Sequence, residues 1–430
     1  MNSPTQHAGR PVIRPHPTIE PRLLTVRDGR EDLAAYREAG GYRPVADAGR
    51  LLDEIDASGL RGRGGAAFPT GRKLRGVRAG EGVPVVVANG EEGEPSSIKD
   101  RWLLRYRPHL VLDGLRLAAL AVGADLAYVY VSDEAGERSV RQALAEAAEA
   151  PPWEGVAVHV VRVEPAYVAG EETAAVRAIN GGPALPADKP PRPYQEGVAG
   201  RPTLVSNVET LANLPFVHAS GAAAYRSVGT RSAPGTFLLT LGGAVREPGL
   251  YEVPLGTTLG ELLRRLGEDV SAVRGALMGG YFAGPLNTRV LDLALDYDTL
   301  AAAGSGLGCG AVIVLGPRTC PVAVAAATMA YFARENAGQC GSCFNGTAAM
   351  SGVLGALRDH KATDGDFQRL ADWSVKLRGR GACGTLDGAT NTAAGLIREF
   401  PDIVTMHLDG ACDVCRTAVP LSDPPFAFAF

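Results

Sequence analysis

The sequence predicts an α/β domain, then a small α+β module of the β-grasp type, then a C-terminal helical bundle. Strand-like and helix-like runs alternate between residues 83 and 163, the pattern of a layered α/β sheet. Residues 235–283 follow the order strand, turn, strand, helix, strand. From about residue 320 onward, apolar residues recur at helical spacing, which predicts a bundle.

The N-terminal half divides into an arm and a domain. Residues 1–40 start polar and rich in proline, so we expect a flexible N-terminal arm. The α/β domain is placed at 41–232 and opens with a helix at 45–59, closed by Gly59. Its further elements are strands at 83–88, 126–131 and 156–163, helices at 108–122 and 134–150, and a Pro-rich surface loop at 183–202.

The C-terminal half holds the β-grasp module at 233–300 and a linker with the bundle at 301–410. Its helices are predicted at 321–335, 345–359, 364–378 and 390–399. The C-terminal tail, 411–430, ends in LSDPPFAFAF, where phenylalanines alternate after two prolines. A partner-docking strand and a disordered end are both compatible with that pattern.

Composition excludes several classes of protein. The formal net charge is -4 and no Lys/Arg-rich run occurs, so we expect no nucleic-acid partner. No apolar stretch approaches the roughly 18–20 residues that span a bilayer, and the polar start lacks a signal core. We therefore expect a cytoplasmic protein without a transmembrane segment. Of the seven cysteines, five follow position 339, which in a reducing compartment indicates metal or redox chemistry.

The first chemical motif is a cysteine trio. Cys340 and Cys343 form a C-G-S-C pair, and Cys383 stands in G-A-C-G. Thiolates at i and i+3 converge on one point, and a distant cysteine can complete the same site from another loop. An iron–sulfur cluster and a metal ion both take four ligands, so a fourth is needed. The plain alternative is three small buried hydrophobic side chains.

Three loops carry the second set of motifs. In GLRGRGGAAFPTGRK (59–73), glycines allow backbone amides near a phosphate that Lys73 can neutralise, although a purely structural loop is equally compatible with the pattern. NGEEGEPSSIKDR (89–101) follows a strand and can be a ligand cradle or a solvated acidic turn. YVAGEETA (167–174) gives a tight turn and a helix start, whose acidic residues can serve the helix dipole alone.

In order and spacing, these loops resemble the NADH- and FMN-binding flavoprotein (51-kDa-type) subunit of respiratory complex I. Its relatives are the diaphorase subunits of NAD-linked hydrogenases and formate dehydrogenases. The resemblance covers roughly residues 40–405 and continues through 189–193, 202–210 and the β-grasp (SLBB-like) module. It makes 41–232 the FMN- and NAD(P)H-binding domain. The family ends in a bundle with C-x-x-C-x-x-C and one later cysteine, here 337–343 and Cys383.

The resemblance implies roles for individual residues. Glu92 and Glu172 are assigned to catalysis, and Cys340, Cys343 and Cys383 to the iron–sulfur cluster. The cofactor-binding residues are assigned in groups along the bound ligands: Gly62, Gly64, Gly65 and Lys73 at the FMN phosphate; Asn89, Glu91 and Glu92 at ribityl and flavin; Gly170, Glu171 and Glu172 at the nicotinamide; Phe68 at the adenine; Lys189 in the nucleotide loop; Ser206, Asn207 and Thr210 completing the flavin site.

The implied function is that of an NADH dehydrogenase-type oxidoreductase, a stand-alone relative of the complex I subunit. It would oxidise NAD(P)H through FMN and pass single electrons through a cluster to a ferredoxin or a membrane reductase. A four-iron cluster is favoured over a three-iron one. We expect a cytoplasmic location, with peripheral attachment to the inner face of a membrane through a partner as the alternative.

The chain departs from the family at three positions. Ala337 replaces the first cysteine, and Cys412, Cys415 and His407 are the candidates for a fourth ligand. Ala67 replaces a glycine, and Arg192 replaces an aromatic residue, which suggests an altered preference between NADH and NADPH. Cys309 and Cys320 are expected to be core or loop cysteines. The rival functions are a non-catalytic electron relay and a β-grasp module that binds a small ligand.

Overall fold

Two β-sheets and a layer of C-terminal helices build the molecule. The computed structural model describes residues 11–24, 29–149, 151–153, 155–417, 421–428 and 430. The strands in this part of the chain are β1 Val12–Pro15, β2 Val85–Asn89, β3 Leu126–Val131, β4 Ala157–Arg162, β5 Thr203–Asn207, β6 Thr236–Gly243, β7 Gly249–Pro254, β8 Gly275–Met278, β9 Pro285–Asn287 and β10 Ala311–Leu315.

Helices connect and cover these strands. They are α1 Leu33–Glu38, α2 Ala48–Ser58, α3 Thr70–Arg78, α4 Lys99–Tyr106, α5 Pro108–Val122, α6 Glu134–Glu146, α7 Glu172–Ile179, α8 Val208–Ala212, α9 Leu214–Arg226, α10 Leu259–Arg265, α11 Tyr297–Ala302, α12 Pro321–Glu335, α13 Gly341–Arg358, α14 Asp364–Lys376, α15 Thr385–Glu399, α16 Pro401–Leu408 and α17 Asp413–Thr417. No helix among the described residues is long and apolar enough to cross a membrane.

The first sheet is parallel and has the strand order β4-β3-β2-β5. Its central strand β2 is buried from Val85 to Ala88, as expected for a strand covered on both faces. Helix α5, almost entirely buried, packs against it. Because all four strands run the same way, the loops that follow β2, β4 and β5 leave from one edge of the sheet. The predicted α/β class is confirmed.

The second sheet is mixed and has the order β1-β7-β6-β10-β8-β9. Its outer strand β1 pairs in parallel with β7, with Val12 opposite Gly249. The described part of the expected flexible arm is therefore folded, and Leu23 and Leu24 are buried behind it. Strand β10 lies between β6 and β8, so the sheet also takes a strand from beyond the expected module boundary at residue 300.

The C-terminal helices pack around a common apolar core that includes Phe332, Leu354 and Leu386. Helix α12 and helix α13 lie side by side and are joined by residues 336–340. Two sites in this layer matter below: the segment between α12 and α13, and the opposite end of α12, where Cys320 is the N-cap.

The described residues of the tail pack on the chain itself. Phe426 is buried in the helical core and Phe428 in the core of the α/β domain. The Phe428 amide donates to the Pro95 carbonyl at 3.1 Å. The Phe430 ring lies 6.1 Å from the Tyr106 ring, edge to face. Of the two expectations for the tail, neither a disordered end nor a free docking strand describes these contacts.

Candidate functional site

Three chain segments meet where the parallel sheet ends. Asn89 closes β2 and Asn207 closes β5, and the two are partners in the strand register. The Asn89 side-chain amide donates to the carbonyl of Gly170 at 2.8 Å. The segments 89–101 and 167–174 and the start of α8 therefore lie together at one edge of the sheet.

The glycine-rich segment 59–69 approaches this edge from the other side. The Arg63 amide donates to the Thr210 hydroxyl at 2.8 Å, and the Gly62 amide donates to the Phe68 carbonyl at 2.9 Å. A Cβ at Gly64 would lie 3.2 Å from the Cβ of Asn207. The four segments predicted to hold a ligand are thus joined in one place, although no ligand role of a single residue follows from that.

Arg63, which the sequence did not single out, fixes the glycine-rich segment. Its side chain is buried and donates to the hydroxyls of Tyr297 and Tyr225 at 3.0 and 3.1 Å. It also donates to the carbonyl of Thr236, the first residue of β6, at 2.9 Å. Arg63 therefore connects the loop to the second sheet and is not directed at a phosphate.

Ala67 stands in a left-handed backbone conformation, with φ at 52°. A Cβ is disfavoured there, which gives a physical reason for a glycine at this position. The Ala67 methyl is buried in the apolar core of the second sheet. It therefore points away from the segments 89–101 and 167–174.

Lys73 is the cation at the sheet edge. Its Nζ donates to the Val205 carbonyl at 2.8 Å and pairs with Glu172 Oε2 at 3.2 Å. Both side chains stay about a third exposed, at 31% and 27%. The ammonium group is thus held at the end of β5 and remains accessible to a ligand anion.

The acidic loop contains carboxylates with different environments. Glu91 is buried, and burial raises its pKa to about 8, although the Ala166 and Gly93 amides oppose the rise. Glu92 accepts hydrogen bonds from the amides of Asp100 and Arg101 at 3.2 and 3.1 Å. Glu92 therefore caps the first turn of α4, an internal task that the sequence did not predict.

A buried charged network supports this loop from below. Lys99 Nζ lies 2.7 Å from Asp100, 3.1 Å from Glu209 and 3.1 Å from Asn207 Oδ1. Asn207 also donates through Nδ2 to Asp100 at 2.7 Å and caps α8 by accepting from the Glu209 amide. The side chain of Asn207 thus has protein partners on both its amide atoms, so its local role is to position the strand end.

Glu171 and Lys189 connect the third loop to the Pro-rich loop. Glu171 is the N-cap of α7 and accepts from the Thr173 amide at 2.8 Å. Its other oxygen pairs with Lys189 Nζ at 2.6 Å. Phe68 is 51% exposed beside the glycine-rich loop, which leaves its ring open to stacking. Ser206 lies next to Asn207 at the end of β5.

The cysteine trio lines one cavity. Cys340, Cys343 and Cys383 border it together with Ala337 and Pro186. Burial raises the pKa of the Cys343 thiol to about 11, and the neighbouring thiols of Cys383 and Cys340 raise it further. The Ala382 amide donates to Cys340 Sγ at 3.4 Å. Three thiols and an amide donor directed at sulfur fit an iron–sulfur cluster.

The three candidates for a fourth ligand do not line this cavity. His407, Cys412 and Cys415 lie with Cys320 in a separate group. Cys320 is therefore not an isolated core cysteine, which corrects the expectation from the sequence. At the position of the missing thiolate the cavity has Ala337 and its neighbour Gly338.

Comparison with known proteins agrees with these positions. A family model described as the Nuo51 FMN-binding domain matches residues 55–216. A second, the NADH-ubiquinone oxidoreductase-F iron-sulfur binding region, matches residues 323–407. The first covers the loops at the sheet edge, and the second covers the cysteine trio.

Full-length relatives show the same relationship. An F subunit of NADH-quinone oxidoreductase, the one numbered 2, of Rhizobium meliloti (strain 1021) is 36% identical over 91% of this chain and 98% of its own length. The corresponding F-type protein of Aquifex aeolicus (strain VF5) is 32% identical over 85% and 89%. A chain of an NAD+-reducing [NiFe]-hydrogenase in its H2-reduced state superposes with a TM-score of 0.81 at 31% identity, over 93% of this chain and 68% of that one.

Proposed function

The chain belongs to the family of NADH-quinone oxidoreductase F subunits, and on that premise we propose that it oxidises NAD(P)H and delivers single electrons to a ferredoxin or reductase partner. It is an oxidoreductase with an FMN-binding domain and an iron–sulfur region. The nucleotide preference, the electron acceptor and the role of each site residue are parts of the proposal.

The observation that carries the proposal is the meeting of four segments at the carboxyl edge of the parallel sheet. Gly64 approaches Asn207, Asn89 bonds to Gly170, and Lys73 pairs with Glu172. Ligands of open α/β sheets bind at this edge. A flavin and a nicotinamide need to lie against each other, and one shared edge allows both.

The residues present fit FMN. Gly62 and Gly64 leave room for an anion to approach the backbone, since an added Cβ would meet atoms only at 3.6 Å and 3.2 Å. We assign the phosphate to Gly62, Gly64, Gly65 and Lys73, because amides and a cation stabilise its charge. When bound, FMN supplies hydride acceptance and one-electron release, which side chains cannot provide.

Around the flavin we assign two kinds of residues. Asn89 and Glu91 would contact the ribityl and ring, with Ser206, Asn207 and Thr210 fixing the end of β5. Glu92 would act through the loop it caps, by holding residues 92–101 in place. Because Glu91 is protonated up to about pH 8, it can donate a hydrogen bond from a buried position.

The nucleotide is assigned to the other side of the same edge. Gly170 allows close approach at the start of α7, and Glu171 and Glu172 offer acceptors for the carboxamide and ribose. Phe68 presents an exposed ring for stacking on the adenine. Lys189 holds the Pro-rich loop beside Glu171 and contributes a cation to the nucleotide phosphates.

The electron exit is assigned to Cys340, Cys343 and Cys383. Pro186, three residues before Lys189 in the same loop, lines the cavity of the trio, so the nucleotide side and the cluster are close along one short segment. We favour a four-iron cluster whose fourth ligand is not a cysteine at position 337. A cytoplasmic location, with docking on the acceptor, completes the proposal.

The rival function, a relay that no longer oxidises nucleotide, rests on Ala67, Arg192 and Ala337. The buried methyl of Ala67 removes one of its motives, because it does not crowd the segments at the sheet edge. Anaerobic purification tests the choice. We expect a yellow protein with bound FMN, iron and acid-labile sulfide, whose flavin absorbance bleaches on addition of NADH or NADPH. A flavin-free protein that does not take up FMN would overturn the proposal.

A further inference from the structure

A second group of metal-ligand side chains lies in the C-terminal layer, away from the cysteine trio. The sulfurs of Cys320, Cys412 and Cys415 and a ring nitrogen of His407 all lie within 4.8 Å of one another. His407 Nε2 is 3.1 Å from Cys320 Sγ and 3.6 Å from Cys415 Sγ. Cys412 Sγ is 4.0 Å from Cys320 Sγ. Four ligand atoms therefore surround one point.

The histidine is oriented as a ligand. His407 is 0% exposed, and its Nδ1 lies 3.0 Å from the carbonyl of Leu357. A carbonyl only accepts, so Nδ1 carries the proton and Nε2 presents its lone pair to the sulfurs. Metal-bound histidines commonly donate their second ring N–H to a backbone carbonyl in this way.

The cysteines come from two directions. Cys320 is the N-cap of α12, a position that favours a thiolate. Cys412 and Cys415 are spaced i and i+3 at the start of α17, so their side chains face the same side. Cys320 and Cys412 are buried, while Cys320 and Cys415 also border a surface cleft that gives an ion a path to the group.

We propose that Cys320, His407, Cys412 and Cys415 bind a single tetrahedral Zn²⁺. With zinc–sulfur bonds of about 2.3 Å, two thiolates of a tetrahedral site lie about 3.8 Å apart, close to the spacing here. An iron–sulfur cluster would place several irons and sulfides between the thiolates and hold them farther apart. Three thiolates and one imidazole form a closed structural zinc site with no position left for a substrate.

This site is distinct from the iron–sulfur region. Cys320, Cys412 and Cys415 fall outside the matched segment 323–407. Cys320 precedes the first residue of α12 and Cys340 follows its last, and 15 helical residues extend about 22 Å. The two groups therefore lie near opposite ends of the same helix.

The ion would fasten the end of the described chain. It joins α16 and α17 to the start of α12, and the residues after α17 lead to the tail that packs on Pro95. Pro95 belongs to the acidic loop 89–101. The zinc site thus holds the segment that supports this loop from outside, a structural task with no electron transfer.

Metal analysis of the full chain, purified anaerobically without added zinc, tests the proposal. We expect about one zinc per chain, with about three sulfurs and one nitrogen in its X-ray absorption spectrum, at about 2.3 and 2.0 Å. Absence of zinc, together with no uptake of Zn²⁺ or Co²⁺ by the chelator-treated protein, would overturn it. A Cys320–Cys412 disulfide found by mass mapping of that protein would also overturn it.

Variants separate the two sites. Cys412→Ser with Cys415→Ser should lose the zinc and keep iron, sulfide and FMN, whereas Cys340→Ser with Cys383→Ser should lose iron and keep zinc. Cys309→Ala, a cysteine outside both groups, is the matched control and should keep both metals. Loss of iron and sulfide from the first variant would show that its cysteines hold a cluster instead. Should that variant not fold, the wild-type spectrum still decides the ligand set.

Discussion

Lys189 Nζ lies 2.6 Å from Glu171 Oε1, and this ion pair joins the Pro-rich loop to the first turn of α7. Both side chains are mostly buried, with 22% and 17% exposure, so the pair is less screened than a surface salt bridge. Pro186 in the same loop borders the cysteine cavity. One loop therefore touches the proposed nucleotide pocket and the proposed cluster.

Lys189→Met should weaken nucleotide binding. The loop loses its anchor and the nucleotide phosphates lose a cation, so KM for the nucleotide should rise roughly tenfold, as for a lost hydrogen bond to a charged group. Glu171 still caps α7, so kcat should change less than KM. Lys376→Met, which breaks an exposed i,i+4 pair with Asp372, is the control. Equal kinetics in the two variants would contradict the assigned role.

Gly62→Ala should release FMN without unfolding the protein. The added methyl would meet the Phe68 backbone only at 3.6 and 3.7 Å, which is ordinary contact. With a phosphate against the same amide, the methyl would clash and weaken FMN affinity by about tenfold or more. FMN titration and thermal melting measure the two effects. Gly76→Ala, with nothing within 4 Å, should leave FMN affinity unchanged.

Ala337→Cys should complete the cluster site with a fourth thiolate. Ala337 lines the same cavity as the trio, so a thiolate there can reach the iron that lacks a cysteine. We expect slower loss of iron in air and a weaker EPR signal from oxidised, three-iron protein. Ala337→Ser, which offers no thiolate, is the matched control. If both variants lose iron at the wild-type rate, the open coordination position lies elsewhere.

Glu91 should make the stability of the flavin-free protein depend on pH. Burial raises its pKa from 4.5 to about 8 in the folded state. The folded protein then binds more protons than the unfolded chain, so the free energy of unfolding is highest below pH 4.5 and falls as the pH rises through about 8. Denaturation across this range should show a flatter dependence for Glu91→Gln. The exposed Glu81→Gln should retain the wild-type slope.

Arg192→Phe should shift the nucleotide preference toward NADH. Arg192 is exposed, and its amide is held by Gln195 Oε1 at 3.0 Å, so the turn keeps its shape when the side chain changes. If the guanidinium pairs with a 2′-phosphate, kcat/KM for NADPH should fall about tenfold while that for NADH stays the same. Arg192→Lys should retain part of the NADPH activity. A strong NADH preference that no variant changes would contradict this hypothesis.

Elements with a strong local pattern were predicted from the sequence almost to the residue. Helix α5 and strand β3 have the expected bounds, 108–122 and 126–131, because long apolar runs decide both. Strands β1 and β10 were not predicted. Each pairs with strands that are distant in sequence, β1 with β7 and β10 with β6, and no short window contains that information.

The candidate site shows the same limit. The loops were found from their glycines and acidic residues, but Arg63 was not, because its partners Tyr225 and Tyr297 come from other elements. Cys320 was assigned to the core because His407 and the C-x-x-C pair lie far along the chain. Left-handed Ala67 likewise follows from the fold around it rather than from its neighbours.

The contact between Phe428 and Pro95 orders events during synthesis. Pro95 leaves the ribosome long before Phe428, so the nascent α/β domain exposes the apolar surface that this phenylalanine later covers. Co-translational folding can therefore form the parallel sheet but cannot finish the packing under the acidic loop. A chaperone that shields this surface has a defined binding window, which closes when the C-terminal segment arrives.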